Sequence, residues 1–351
     1  MTAYCDLAMK VRNTNIELLR LFLFVSIFIW HVIMHGFKFT EIGLPNSEYW
    51  GNPYIDIPLA SFLSPATYCF MFISGYYGMH YTHKKLGMIV FSAFSVFICM
   101  YIRNLIKYDM WGGEFLNIFP ISTEVWWFLT GYVTILVLSP VVDTGIEYIS
   151  KQNFQCVLIG FFSLVVLRIF RFDYSCGSTL SALLFVYLLG RYMNKYKVHL
   201  STKISIIIFL LSFLCLVVVS LLFYMMGNSS NNKYVATFPF WFISSYNNPF
   251  TLAMSICLFY IAKNFPMYQN KLLNKMISSC LFIYLITEGF YTVYGRIAKI
   301  FVQNPFLSCF LSLFILAACL IFGHVSLKVY SYLYSMCGCF LKKHSDGISH
   351  K

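Results

Sequence analysis

Charge is what this sequence has least of. Only 11% of its 351 residues are Asp, Glu, Lys or Arg, and 13 acids face 25 bases. A soluble domain carries about 25% charged residues, so a water-soluble globule is excluded. With 59% hydrophobic and 20% aromatic residues and a mean hydropathy of +0.72, the chain reads as an integral membrane protein. The inside/outside alternation of a membrane β-barrel is also missing, because the apolar runs are continuous. Nothing resembles a cleavable signal peptide: the first apolar run is of spanning length and no small-residue cleavage site follows it. Internal repeats, low-complexity tracts and loops large enough for a second domain are absent, so one membrane-embedded domain over 1–351 is expected.

A disulfide framework is lacking too. The twelve cysteines are scattered, mostly inside apolar segments (Cys69, Cys99, Cys215, Cys257, Cys280, Cys309, Cys319), where a free thiol behaves as a small hydrophobe. Cys337 and Cys339 form a C-x-C pair with no second pair or spaced His to complete a zinc set, and no metal is expected. Nor is there a G-x-S-x-G nucleophile elbow. The net charge of +12 suggests nucleic acid at first sight, but the placement of the bases along a polytopic chain explains it better, and no nucleic-acid partner is expected.

What is present is a succession of apolar segments: 14–36, 55–79, 87–106, 125–142, 154–172, 178–194, 203–227, 247–265, 277–300 and 306–335. The fold class is therefore all-α, a polytopic transmembrane bundle of about ten spanning helices in the lipid bilayer. The segments 125–142 and 178–194 are short enough to be tilted or partly re-entrant, and 306–335 is long enough to continue beyond the bilayer. Fifteen of the 25 Lys and Arg fall on the side of the N-terminus against seven opposite. By the positive-inside bias both termini, including the tail 336–351, are expected in the cytoplasm.

The first span is the unusual one. It carries Glu17, Arg20, His31 and His35, with Arg12 just before it, and ionisable groups within a spanning helix face a bundle interior or a cavity. At about 100° per residue, Arg20 and His31 lie only about 20° apart around the axis and about 16 Å apart along it, while Glu17 sits about 60° to the other side. One face thus holds a charged set at one end and a histidine at the other. The loops 37–54, 107–124 and 228–246 and the span ends beside them carry Trp50, Trp111, Trp126, Trp127 and Trp241 near Asn and the acids Glu41, Glu48, Asp56, Asp109, Glu114 and Glu124. That composition is open between an aromatic belt at the headgroups and a sugar-binding face.

Several phrases resemble one known family, in its order and over most of the chain. RNTNIELLR at 12–20 followed by His31, CFMFISGYYG at 69–78, WWFLTGYVTILVLSP at 126–140, FVYLLGRYM at 185–193 and ISSCLFIYLITEG at 277–289 are similar to the phrases of the acyltransferase 3 membrane proteins, which O-acylate bacterial surface polysaccharides and related acceptors. The resemblance implies a multi-pass protein of the bacterial inner membrane. It would transfer an acyl group, most readily acetyl, from acetyl-CoA to a hydroxyl of a surface glycan or its lipid-linked precursor, with no bound cofactor. The departures are Thr287 and Glu288 where the family often has a His after Tyr-Leu-Ile, and His80, His83, Lys84 and Lys85 where many members carry an Arg cluster.

Acyl transfer to a hydroxyl needs a base, and neutral imidazole has a suitable proton affinity. His31 is the candidate, against the alternative of a histidine bonded to a neighbouring helix. Glu288, well inside a late apolar segment, is the second catalytic candidate, open between orienting His31, binding an acceptor hydroxyl and pairing with an Arg. Glu17, which can pair with Arg20 at i,i+3, is the third. Arg20, Arg12, Lys84 and Lys85 are the donor-binding candidates, Arg12 and Arg20 being open between phosphate contacts and, respectively, positive-inside bias and a local pair. Ser74, Gly75, Trp127 and Tyr284 form an acceptor-side or structural set, in which the Ser-Gly step reads as close helix packing or a bend more readily than as a nucleophile. His31 and His35 at i,i+4 suit two metal ligands, but no third ligand is identifiable. Intramembrane Arg, Glu and His also suit the substrate path of a transporter or flippase, which is the rival reading.

Overall fold

The computed structural model describes residues 13–44, 46–108, 121, 125–167 and 177–348; Arg12, Asp109, Trp111, Glu114, Glu124, Arg168 and Arg171 lie outside the described residues. The described chain is helical throughout, with no strand among the described residues. Its helices are α1 (Thr14–His31), α2 (Pro53–Leu63), α3 (Ala66–Tyr77), α4 (His83–Tyr108), α5 (Trp127–Tyr148), α6 (Lys151–Phe161), α7 (Leu180–Lys195), α8 (Thr202–Ser229), α9 (Lys233–Ala236), α10 (Phe238–Ser244), α11 (Pro249–Asn264), α12 (Lys271–Ile277), α13 (Leu281–Gly289), α14 (Thr292–Gln303) and α15 (Pro305–Ile348).

Their starts follow from local chemistry. Asn13, Asn52, Ser150, Thr179, Ser201, Asn248 and Asn270 each precede a helix and accept from one of its first free N–H groups. Pro53 and Pro249 open α2 and α11, where a missing N–H costs nothing.

Among the described residues, six helical stretches are long and apolar enough to cross a membrane: Thr14–Gly36, Pro53–Tyr77, His83–Ile106, Trp127–Tyr148, Thr202–Ser229 and Pro305–Cys337. The count becomes seven if the bent pair Lys271–Gly289 and Thr292–Gln303 is one span. The chain is therefore an all-α membrane protein with about six such spans. The described part of the expected 154–172 segment ends at Leu167, as α6 and a π turn over Phe162–Val166, and α7 and α11 are 16 residues each. One expectation is overturned: 277–300 is not a continuous rod but turns by 87° between α13 and α14. The last segment continues past its expected span, as its length suggested: α15 runs unbroken to Ile348.

A core around α1, α3, α7 and α13 holds the site in place. Leu23, Phe24 and Phe28 of α1, Met71, Phe72 and Ile73 of α3, Leu183, Val186 and Tyr187 of α7, and Phe282, Ile283 and Leu285 of α13 are all buried in it. In contrast, α8 and α15 present Leu210, Leu211, Leu214, Phe310, Leu313 and Phe314 outward, the apolar surface a bilayer would cover.

The Ser-Gly step proves to be a packing device. A Cβ on Gly75 would stand 2.3 Å from the Tyr187 carbonyl oxygen, and one on Gly190 would stand 2.7 Å from the Phe72 oxygen and the Tyr76 nitrogen. Each helix lends the other a glycine, and backbones meet where side chains would hold them apart. Ser74 donates its hydroxyl to the Phe70 carbonyl at 3.1 Å, a bond within its own helix.

Candidate active site

His31 is the last residue of α1, and a π turn over Val32–Gly36 follows it directly. Such a turn inserts an extra residue into the helical ladder and re-aims the side chains beside it. On the partner side, α13 ends at Gly289 and α14 begins at Thr292, so Glu288 and Tyr294 flank the break. The bend folds both towards α1. The Oε2 atom of Glu288 lies 2.6 Å from His31 Nδ1, and the Tyr294 hydroxyl lies 3.0 Å from the same nitrogen. That hydroxyl also donates to Glu288 Oε2 at 3.4 Å. His35 completes the group, its ring 5.5 Å from that of His31 and stacked over Tyr294 at 6.2 Å.

A carboxylate is an acceptor only, so the proton of a neutral His31 belongs on Nδ1, facing Glu288. The Nε2 lone pair is left free to take a proton. This is the arrangement in which a carboxylate orients an imidazole base and stabilises the cation it becomes. Thr287, at the position where the resembled family often has its His, donates at 2.6 Å to the Ile283 carbonyl within its own helix and lies against the Tyr294 hydroxyl.

Gly36 makes this approach possible. Its Cβ would stand 2.7 Å from the Tyr294 carbonyl oxygen and 2.9 Å from the Ala298 Cβ. Gly36→Val is therefore expected to push α14 off the π turn and separate Tyr294 from His31. Overpacking of this kind costs about 1–3 kcal/mol, and the change is readable as a lowered unfolding temperature in detergent together with lost activity.

The group opens into a cavity of about 380 Å³ lined by Trp30, His31, Met34, His35, Trp127, Tyr246 and Glu288 among others. Trp127 packs at a tilt of 39° against Tyr246 with ring centres 5.4 Å apart. Tyr284 sits one turn before Glu288 on α13 and is buried. The aromatic loops thus divide: Trp127 and Trp241 line the cavity, whereas Trp126 is core, which removes it from a headgroup belt. Among the described residues, the three acids of the supposed sugar face, Glu41, Glu48 and Asp56, have other partners. Asp56 accepts the Tyr49 hydroxyl at 2.7 Å, Glu48 pairs with Lys38, and Glu41 accepts the Glu48 backbone N–H. Tyr49, in the loop before α2, has its ionisation pushed far up by burial first and by this bond to Asp56 second.

At the other end of α1, Arg20 and Glu17 form the expected i,i+3 pair at 2.7 Å. Glu17 is buried and Arg20 partly exposed; among the described residues Glu17 engages one guanidinium nitrogen, which leaves the rest of the fork open to an anion. Glu17 is 14 residues from His31, about 21 Å along the axis, so it positions Arg20 and does not join the chemistry at His31. Tyr77 and Cys280 are within electrostatic reach of the pair. Nearby, Lys263 lies over the rings of Tyr76 at 4.7 Å and Tyr260 at 5.3 Å. Lys84 and Lys85 are not brought to this cluster by any contact among the described residues. Lys84 lies over Tyr334 of α15 at 5.7 Å, and its carbonyl accepts the Tyr330 hydroxyl at 2.9 Å.

Three features escape sequence reading. Tyr294 carries no signal, because its meeting with His31 depends on the helix break. Lys263 reads only as one more positive loop charge. Asp143 and Arg191 pair at 3.0 Å with the Tyr187 hydroxyl donating to Asp143 at 2.8 Å, beside the turn at Gly78, whose φ is +79°. An acid inside the apolar segment of α5 was the available hint for this third cluster, which ties α5 to α7 below the Ser-Gly step.

Fold and site together define a helical membrane protein with two ionic centres at opposite ends of its first span. Comparison of the chain with protein-family models, curated proteins and solved structures found no match.

Proposed function

We propose that this protein is a membrane O-acyltransferase that moves an acetyl group from acetyl-CoA to a hydroxyl of a bacterial surface polysaccharide or its lipid-linked precursor. The observation that carries the reading is the His31–Glu288 contact at 2.6 Å in a cavity, on the same helix as an Arg20 whose guanidinium is held by Glu17. The phrase-by-phrase resemblance to acyltransferase 3 proteins supports it. In this reading the six long spans are joined by α6, α7, α11 and the broken α12–α14 segment, for ten crossings of the inner membrane with both termini cytoplasmic.

Arg20 faces the phosphates of the donor, with Lys263 near it, and the acyl group reaches His31 through the bundle. His31 Nε2 removes the acceptor hydroxyl's proton as its oxygen attacks the thioester carbon. When the tetrahedral adduct collapses, the carbon–sulfur bond breaks and the imidazolium returns the proton to the thiolate, releasing CoA and the ester. Exclusion of water by the bundle keeps the thioester from hydrolysis.

A second cavity, of about 580 Å³, suits the acceptor side. Its lining includes Ser47, Tyr49, Tyr224, Asn228, Asn231 and Lys233, amides and phenols fitted to a neutral polyhydroxylated chain. The two cavities share one short stretch of chain, since Thr40 lines the first and Gly43 and Leu44 the second.

Arg20→Lys is expected to raise KM for acetyl-CoA about 10-fold with kcat little changed, because an ammonium cannot reproduce a bidentate fork. Steady-state kinetics at varied donor would show it. The transporter reading draws support from the 87° break, since discontinuous helices line substrate paths in transporters. Purified protein incubated with radiolabelled acetyl-CoA and glycan separates the two. Acceptor labelling supports acyl transfer, while its absence with every acyl donor, alongside intact substrate flux in proteoliposomes, overturns it.

A further inference from the structure

Beside the His31 cavity, two buried hydrogen-bond donors have no acceptor among the described residues. Tyr284 is 4% exposed and Trp126 is 1% exposed, and among the described residues neither the Tyr284 hydroxyl nor the Trp126 indole nitrogen has a hydrogen-bond partner. Buried orphans are rare because each forfeits its bonds to water. Serine hydroxyls in the same condition, such as Ser205 and Ser220, can rotate towards a carbonyl of their own helix. A phenol or indole has no such local escape, because its polar atom is fixed at the rim of a rigid ring.

The two orphans meet the same element. Trp126 is the residue before α5 and supplies no side-chain cap. The first helical bond there is Thr130 N–H to the Trp126 carbonyl, at 3.0 Å. The N–H groups of Trp127, Phe128 and Leu129 find no backbone carbonyl among the described residues, so the positive end of the helix dipole faces the Tyr284 side. Tyr284 packs edge-on against Phe128 with ring centres 6.2 Å apart, and its hydroxyl lies against the Phe128 backbone without completing a bond. Both sides of this arrangement border the base. Trp127 lines the His31 cavity, and Tyr284 precedes Glu288 by one turn on the same face of α13.

Donors without acceptors, deep burial and a helix N-terminus are the makings of a site for an oxygen that becomes negative during a reaction. We propose that the Tyr284 hydroxyl, seconded by the uncapped start of α5 and the Trp126 indole, binds the carbonyl oxygen of the acyl group and stabilises its negative charge in the tetrahedral adduct. The inference rests on the acyl-transfer reading above and assigns the electrophilic half of its chemistry. As the acceptor oxygen bonds to the carbonyl carbon, the C=O π electrons move onto the oxygen held by Tyr284, and the acceptor's proton passes to His31. On collapse those electrons re-form C=O, the thiolate leaves, and His31 returns the proton to sulfur. Tyr284 keeps its own proton throughout.

The test is Tyr284→Phe, which retains the ring and removes the donor, with Trp126→Phe beside it. Expected is a fall in kcat of about 10²-fold for Tyr284→Phe, with KM for acetyl-CoA within about threefold of wild type. Its unfolding temperature should be unchanged or higher, because the hydroxyl has no partner to lose. A hydroxyl with a structural role would move the opposite readout, and loss of folding or a lowered unfolding temperature overturns the proposal. So does unchanged kcat in Tyr284→Phe when wild type transfers acetyl and His31→Ala does not, an outcome that leaves the acyl-transfer reading standing. If wild type transfers no acyl group from any donor, both fall.

Discussion

Under the proposed function, His31→Ala is expected to cut acyl transfer about 10²–10⁴-fold while leaving the protein folded and the donor bound. A positioned general base contributes about 10²–10⁴-fold, and water inside an apolar bundle is a poor replacement. The variant also strips Glu288 of the nitrogen it faces at 2.6 Å. His31→Gln is the companion variant because its amide can still donate to the carboxylate but cannot accept a proton usefully. Both variants should show labelled acceptor near background, a KM for acetyl-CoA close to wild type and similar unfolding temperatures. Full labelling in His31→Ala would remove His31 from catalysis. Since Arg20 lies about 16 Å away along α1, donor affinity provides an internal control that the helix is intact.

Glu288→Gln carries the second large effect and tests the proposed role of the His31–Glu288 pair. The substitution keeps size and one acceptor oxygen but removes the charge that stabilises imidazolium. It also adds an amide that can donate to Nδ1 and favour the wrong tautomer. Neutralising the carboxylate behind an imidazole base costs up to about 10⁴-fold in kcat, and we expect a loss between about 10² and 10⁴. Glu288→Asp should recover part of it, because the charge returns on a shorter arm. Groups that work as one unit are not additive. Combining His31→Ala with Glu288→Gln should therefore cost little more than His31→Ala alone. Additive losses would mean that Glu288 acts apart from His31, for example on the acceptor.

Much of the architecture is legible without coordinates. Apolar runs of spanning length had to become helices, since only helices or closed barrels satisfy their backbone groups in lipid. The i,i+3 relation of Glu17 and Arg20 needed only helical geometry, and their pair forms as the spacing requires. The Ser-Gly step was legible as packing, though the identity of its partner, Gly190 with Tyr187, was not.

The composition of the candidate site was another matter. His31 announced itself by its cost in an apolar helix, and Glu288 did likewise, but 257 residues separate them and nothing local indicates that they touch. Their meeting depends on a π turn after His31, a glycine at 36 that admits α14, and an 87° bend that brings Glu288 and Tyr294 round together. Periodicity reads 277–300 as one rod because it records only which residues are apolar. It is blind to where a helix breaks to satisfy contacts with its neighbours. The sequence by itself therefore determined that this chain is a helical membrane protein and which groups are too costly to be idle. Tertiary structure alone decided which of them meet and which donors, Tyr284 and Trp126, are left waiting for an acceptor, because burial and the pairing of distant helices are properties of the packed bundle.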